Sequence, residues 1–271
     1  MPLTLGQEVS AWAAQLETAL GRIEINLEEL YPLPLGGTAI GTGINAPKNF
    51  DNLIAHDIAK KTNLPFETAA NKFAIMASHD GLVNIMSQLK LLAVTFLKIV
   101  NDLRLLSCGP RAGLSELQLP ANEPGSSIMP GKINPTQCEA MAMVCTQIIG
   151  MDASVSIAGS GGHLQMNVYK PLIGYNILKS INLIQTACKS CRENMIEGIQ
   201  PNKSKIKEYL DNSLMLVTAL APSIGYEKAS KIAQLAYQKN LSLRQASNQL
   251  NYIDQLEFDN LTNPKSMIGG D

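Results

Sequence analysis

Between Leu82 and Leu106 apolar residues recur at alternating steps of three and four without a break: Leu82, Ile85, Leu89, Leu92, Phe96, Ile99, Leu103 and Leu106. That is a heptad seam of roughly three and a half heptads, the signature of one long helix packed along its length. Val83, Met86, Leu97 and Val100 widen the apolar face. A helix so apolar on two sides is expected inside a bundle with more than one neighbour. Cys108-Gly109-Pro110 stops it.

Helical spacing governs the rest of the chain as well. Val9, Trp12, Leu16, Leu20, Ile23, Leu27 and Leu30 predict a first long amphipathic helix, ended by Pro32 and Pro34. Shorter helices are expected at 50–62 and around 65–76. Two more long ones follow, at about 135–158 and 167–195, the latter with Ile177, Ile181, Ile184, Cys188 and Cys191 on one face. After residue 197 the predicted helices become short, at about 203–210, 213–219, 226–239, 242–249 and 254–258. No segment of any length shows strand alternation. The expected fold is all-α: a long-helix bundle over 1–196 and a small C-terminal helical domain over 197–271. Helices of 25–30 residues are about 40 Å long. They cannot bury two faces alone in a chain of 271 residues, so a bundle shared between subunits is expected.

Charge and composition exclude several classes of function. The formal net charge is -1 and no basic stripe suits nucleic acid. No apolar stretch reaches the roughly 18 charge-free residues of a spanning helix. The first residues lack the charged and apolar regions of a signal peptide, and a cytoplasmic location is expected. The five cysteines, Cys108, Cys138, Cys145, Cys188 and Cys191, read as reduced, buried thiols. Cys188 and Cys191 form a lone C-x-x-C pair without a histidine to complete a zinc site. Neither a metal nor a cofactor is expected.

Residues 109–134 form a long irregular stretch with four prolines and four glycines, and loops of that length within a domain are usually functional. Its end reads Gly125-Ser-Ser-Ile-Met-Pro-Gly-Lys-Ile-Asn-Pro135. Asn134 suits an N-cap, Pro135 the first helical position, and Gln137 the third position of a capping box. Helix capping does not account for Lys132. A cation beside a helix N-terminus adds to the positive end of the dipole and favours a bound anion, particularly a carboxylate.

This loop resembles the signature loop of the fumarase/aspartase superfamily, and Asn134-Pro-Thr-Gln-Cys-Glu139 is similar to class II fumarases in particular. The resemblance extends to Gly36-Gly-Thr-Ala-Ile-Gly-Thr-Gly-Ile-Asn-Ala-Pro47, Ser107-Cys-Gly-Pro-Arg-Ala-Gly113, Asn167-Val-Tyr-Lys-Pro171 and Ser213-Leu-Met-Leu-Val-Thr-Ala-Leu220. It implies reversible hydration of fumarate to (S)-malate by a homotetramer, without a metal. It assigns the catalytic base to Ser126 and substrate binding to Ser127, Lys132, Ile133 and Asn134. Glu139 matches the glutamate that pairs with an active-site histidine.

The family's histidine precedes the string Pro-Leu-Thr-Leu-Gly-Gln-Glu, which is Pro2–Glu8 here. By the resemblance this chain therefore corresponds to the family after its N-terminal domain, and a partner N-terminal fragment is expected to complete a site built from three segments. Among the three histidines, His79 is expected to be structural, while His56 and His163 are expected on a surface helix and in a glycine-rich turn. Two other readings stay open: an aspartase-like ammonia-lyase, and a non-catalytic bundle that only oligomerises.

Overall fold

The computed structural model describes residues 1–269. Among these are α1 (Leu5–Asn26), α2 (Phe50–Thr62), α3 (Lys72–Ala77), α4 (Asp80–Ser107), α5 (Thr136–Gly159) and α6 (Lys170–Asn194). They are followed by α7 (Lys203–Asp211), α8 (Ala221–Ile224), α9 (Tyr226–Lys239), α10 (Leu243–Leu250) and α11 (Gln255–Leu261). The all-α expectation holds. The only strand pieces among the described residues are two-residue pairs: β1 (Pro32–Leu33) parallel to β2 (Glu67–Thr68), and β3 (Leu117–Gln118) antiparallel to β4 (Gln200–Pro201).

Three local expectations need correction. The first helix is α-helical only to Asn26 and tightens to a 3-10 turn over Leu27–Leu30. The helix expected over 65–76 begins only at Lys72, because Glu67–Thr68 pairs with β1 and the Asn71 side chain accepts from Ala74 N. Segment Leu214–Leu220 is a 3-10 helix, although its apolar spacing suggested an α-helix.

Contacts divide the chain into two units: residues 14–105 with 119–199, and residues 1–13 with 106–118 and the chain from 200 onward. The sequence reading drew a single cut at 196/197. Short and distant links account for the extra segments of the second unit. Asn202 donates from its backbone to Glu116 O at 2.8 Å and from its side chain to Ser115 O at 2.9 Å, next to the β3–β4 pairing. Gln7 Nε2 donates to Ile268 O at 2.7 Å. This unit's core gathers Leu216, Leu220, Ile232, Ala246 and Phe258, and α10 starts in a complete capping box between Ser242 and Gln245.

The larger unit holds the long helices. Along the α4 seam Ile85, Leu89, Leu92, Ile99 and Leu103 are buried, and Leu82, Phe96 and Leu106 are half-buried. On α5 the buried row is Cys138, Met141, Cys145, Ile148, Asp152, Val155 and Ala158, again at threes and fours. Asp152 is 6% exposed; from α4 Lys90 Nζ neutralises it at 2.6 Å and Ser87 Oγ donates a hydrogen bond at 3.3 Å, which is how a carboxylate survives burial. Gly159 passes so close to α4 that a Cβ would lie 2.4 Å from Val83 Cγ2. The start of α4 is tied to the end of α1 by Asn84 Nδ2, which donates to Asn26 Oδ1 at 2.6 Å.

Helices α5 and α6 run as an antiparallel pair, with Gln137 meeting Ser190 near one end and Met151 meeting Ser180 further along. Their turn closes on Asn167, 1% exposed. Its amide donates to Ala158 O at 2.9 Å, and its carbonyl oxygen accepts from Tyr169 N at 2.9 Å. His79, 7% exposed, donates from Nε2 to the Asn167 backbone carbonyl at 3.2 Å. Lengthwise, α4 and α5 are long and apolar enough to cross a bilayer by composition. Each nonetheless presents a charge to the other through the Lys90–Asp152 pair. Large apolar side chains also stay uncovered within this chain: Met143 and Ile157 on α5, Leu172, Tyr175 and Leu178 on α6.

Candidate active site

The segment from Gly125 to Asn134 is a closed loop at the mouth of α5. Its tip is a turn in which Lys132 N donates to Met129 O at 3.3 Å. Pro130 and Gly131 are its central residues, with Gly131 at φ +77. Proline followed by a positive-φ glycine is the type II pattern. The base of the loop is sealed by Asn134 Nδ2, which donates to Gly125 O at 2.6 Å. Gly125 itself lies against the far strand of the loop: a Cβ there would stand 2.0 Å from Lys132 O. Only glycine fits that approach.

Inside this closure, Ser126 Oγ accepts two backbone hydrogen bonds, from Ile128 N and Met129 N, each at 3.2 Å. Ser126 is half-buried, while Ser127, Lys132 and Ile133 are exposed. The loop therefore brings Ser126 and Asn134 into one hydrogen-bonded unit through Gly125 and leaves Ser127, Lys132 and Ile133 on its outer surface. Ile128, 82% exposed, stands at its tip.

Helix α5 begins differently from the expected capping box. Thr136 is its first residue, Pro135 precedes it, and no side chain caps it. Asn134 is already committed to Gly125. Gln137 Oε1 accepts from Ser190 Oγ at 2.8 Å, so it pins the helix to α6 and does not fold back on the loop. Glu139 is in the first turn, where the positive end of the dipole favours a carboxylate. Its Oε1 lies 3.6 Å from Arg104 Nη2 in the last turn of α4. Sequence reasoning missed Arg104, because a basic residue in the last turn of a helix is ordinary and nothing in its spacing points to residue 139.

The other sequence signals resolve as follows. In the glycine-rich segment, Gly41 and Gly43 both donate to Gly37 O, at 2.9 and 3.1 Å. Gly36, at φ +89, approaches Asp51 so closely that a Cβ would lie 2.5 Å from Asp51 Cβ. Asp51 in turn pairs with Lys72 Nζ at 2.7 Å, and that ammonium holds its carboxyl below the usual carboxylate range. His56 and His163 are exposed. Cys138, Cys145 and Cys191 are buried and Cys188 is partly so, but Cys108 is exposed, against the expectation of uniform burial. Burial pushes the thiols of Cys138 and Cys145 up to about 12 and that of Cys191 up to about 11. No group of three or more His, Cys, Asp or Glu converges to hold a metal ion among the described residues.

Closed loop, long helices and apolar outer faces together define an all-α bundle scaffold. Residues 1–150 match the family described as Lyase, and residues 216–269 match the family described as Fumarase C C-terminus. The chain is 66% identical over 269 residues to a fumarate hydratase class II of Prochlorococcus marinus. That match covers 99% of this chain and 58% of the relative. Among solved structures, class II fumarase from Schistosoma mansoni superposes with a TM-score of 0.95 at 41% identity, over 98% of this chain and 59% of that one. A fumarate lyase:delta crystallin from Brucella melitensis gives 0.96 at 37% identity, over 100% and 58%. The chain belongs to this lyase family. It spans about 58% of the length of the curated relatives it matches.

Proposed function

We propose that this chain supplies the closing loop and helical core of a class II fumarase, which reversibly hydrates fumarate to (S)-malate. The observation that carries this reading is the pair of backbone N–H groups on Ser126 Oγ. Run from malate, the reaction needs a base to take a proton from the carbon next to one carboxylate. It also needs fixed positive potential where the aci-carboxylate develops. A serine hydroxyl is a weak base until its oxyanion is stabilised, and two N–H donors aimed at the oxygen favour the ionised form. Lys132 at the loop surface adds positive potential for a carboxylate. The second N–H of the Asn134 amide is left for the same anion, since only one is needed for Gly125 O. Ser127 and Ile133 line the outer side of the loop on which substrate would rest.

Glu139 acts in this reading through a histidine supplied by the part of the family lying outside the matched span. The active species is a homotetramer, or an assembly that includes that additional portion. Its subunit contacts cover the exposed faces of α5 and α6 around Met143, Ile157 and Leu178. A cytoplasmic location goes with this reading of the chain as part of a fumarate hydratase.

The test is to combine the chain with the remaining portion of a class II relative and to follow fumarate loss and malate gain. Hydration supports the reading. Ammonia release from aspartate without hydration would move the chain to the aspartases, and no turnover in an assembled oligomer would leave a structural bundle.

A further inference from the structure

We infer that Arg104 is a positioning residue for Glu139, holding one carboxylate oxygen so that the other faces the proton-carrying partner. The inference rests on the fumarase reading for what Glu139 does, but its geometry stands apart from that reading. Arg104 Nη2 approaches Glu139 Oε1 at 3.6 Å across the gap between the end of α4 and the start of α5. Oε1 is the Glu139 oxygen in this pair, which leaves Oε2 for a second partner. A guanidinium that engages one oxygen restricts the swing of the carboxylate and directs its free oxygen. The thiol of Cys138 lies within reach of both charges. Burial is the main cause of its raised pKa, Cys191 and Glu139 raise it further, and Arg104 lowers it. That places the pair over the first turn of α5.

The same turn is fixed on its other sides. Gln137 is bonded to Ser190 on α6, and Cys138 Sγ lies 3.3 Å from Met195 Sδ. The backbone carrying Glu139 is therefore held by α6, and Arg104 is the contact that sets where its carboxylate points. Arg104 also stands at the C-terminal end of α4, where a cation favours the helix dipole, so a purely structural role has to be separated by experiment.

Two measurements on Arg104→Gln and Arg104→Lys do so. In the full chain, carbodiimide-driven amine labelling of Glu139, read by peptide mass spectrometry, should accelerate about threefold in Arg104→Gln, the scale of a half-exposed ion pair. It should stay near the wild-type rate in Arg104→Lys. In the complemented assembly, Arg104→Gln should lower kcat about tenfold with KM nearly unchanged, and lysine should restore most of it. Unchanged labelling overturns the inference, and so does unchanged kcat in an assembly that hydrates fumarate. Loss of helix content in both variants would assign Arg104 to the end of α4 and also overturn it. If the wild-type assembly shows no hydration, the fumarase reading fails, while the labelling still decides whether Arg104 orients Glu139.

Discussion

The α-carbon of Gly125 packs against the carbonyl of Lys132 so tightly that a Cβ would stand 2.0 Å from the oxygen. The contact closes the loop on itself and keeps Ser126 Oγ under the N–H groups of Ile128 and Met129. Replacing Gly125 with alanine must open the loop, since no backbone adjustment of a few tenths of an ångström relieves such an overlap. The expected outcome is loss of turnover in the complemented assembly and faster proteolysis between residues 123 and 135. Thermal stability should change by less than about 1 kcal/mol, as for surface segments outside the core.

Asn134→Ala separates the loop clip from a helix cap. Loss of the 2.6 Å bond to Gly125 O should cost about 1 kcal/mol locally. Hydrogen exchange should rise over residues 125–133. Amides at the start of α5 should keep their protection, because no side chain caps that helix. Fraying of α5 in this variant would restore the capping reading.

The thiols make a prediction in alkali. Cys138, Cys145 and Cys191 titrate well above a free cysteine, chiefly through burial. In the unfolded chain they ionise near about 8.5. The folded state therefore holds protons that the unfolded state has released, and stability falls as pH rises from about 9 toward 11 or 12. A native chain should react quickly with a thiol reagent at Cys108 alone, the exposed member. Denaturation should release the others. Fast labelling of Cys138 in the native state would contradict the packing of α5 against α6.

Acid acts through Asp51. Its carboxyl is lowered first by the hydrogen bond from Lys72, then by the backbone of Asn52. A lowered group contributes stability above its unfolded value, about 3.9, and loses it as pH falls through the folded value. Asp51→Asn should thus lower stability at neutral pH and flatten the acid limb of the stability curve below pH of about 4. Acid titrations of wild type and variant by circular dichroism compare the two slopes.

Much of the fold was legible because the long helices follow one period. The α4 seam from Leu82 to Leu106 is buried or half-buried at every predicted position. Exposed Val9 and Leu20 on α1, by contrast, show that spacing marks an apolar stripe without saying which chain covers it. The loop's membership was also legible, but its wiring was not. Asn134 and Gln137 sit at capping positions and bond elsewhere, to Gly125 and to Ser190. Those partners are set by tertiary approach, which local spacing does not encode. Arg104 was invisible for the same reason: it meets Glu139 from 35 positions earlier in the chain, across two helices. The grouping of residues 106–118 with the C-terminal unit rests on a two-residue strand and the Asn202 clip, too short for any periodicity to register.

The central claim is that Ser126, held under two backbone N–H groups, is the base of a fumarate hydratase. Its most direct test is fumarate hydration by the complemented assembly carrying Ser126→Ala against wild type. Wild type should form malate and the variant should lose at least about two orders of magnitude in kcat, with unchanged helix content and oligomeric size. Undiminished malate formation by Ser126→Ala would contradict it.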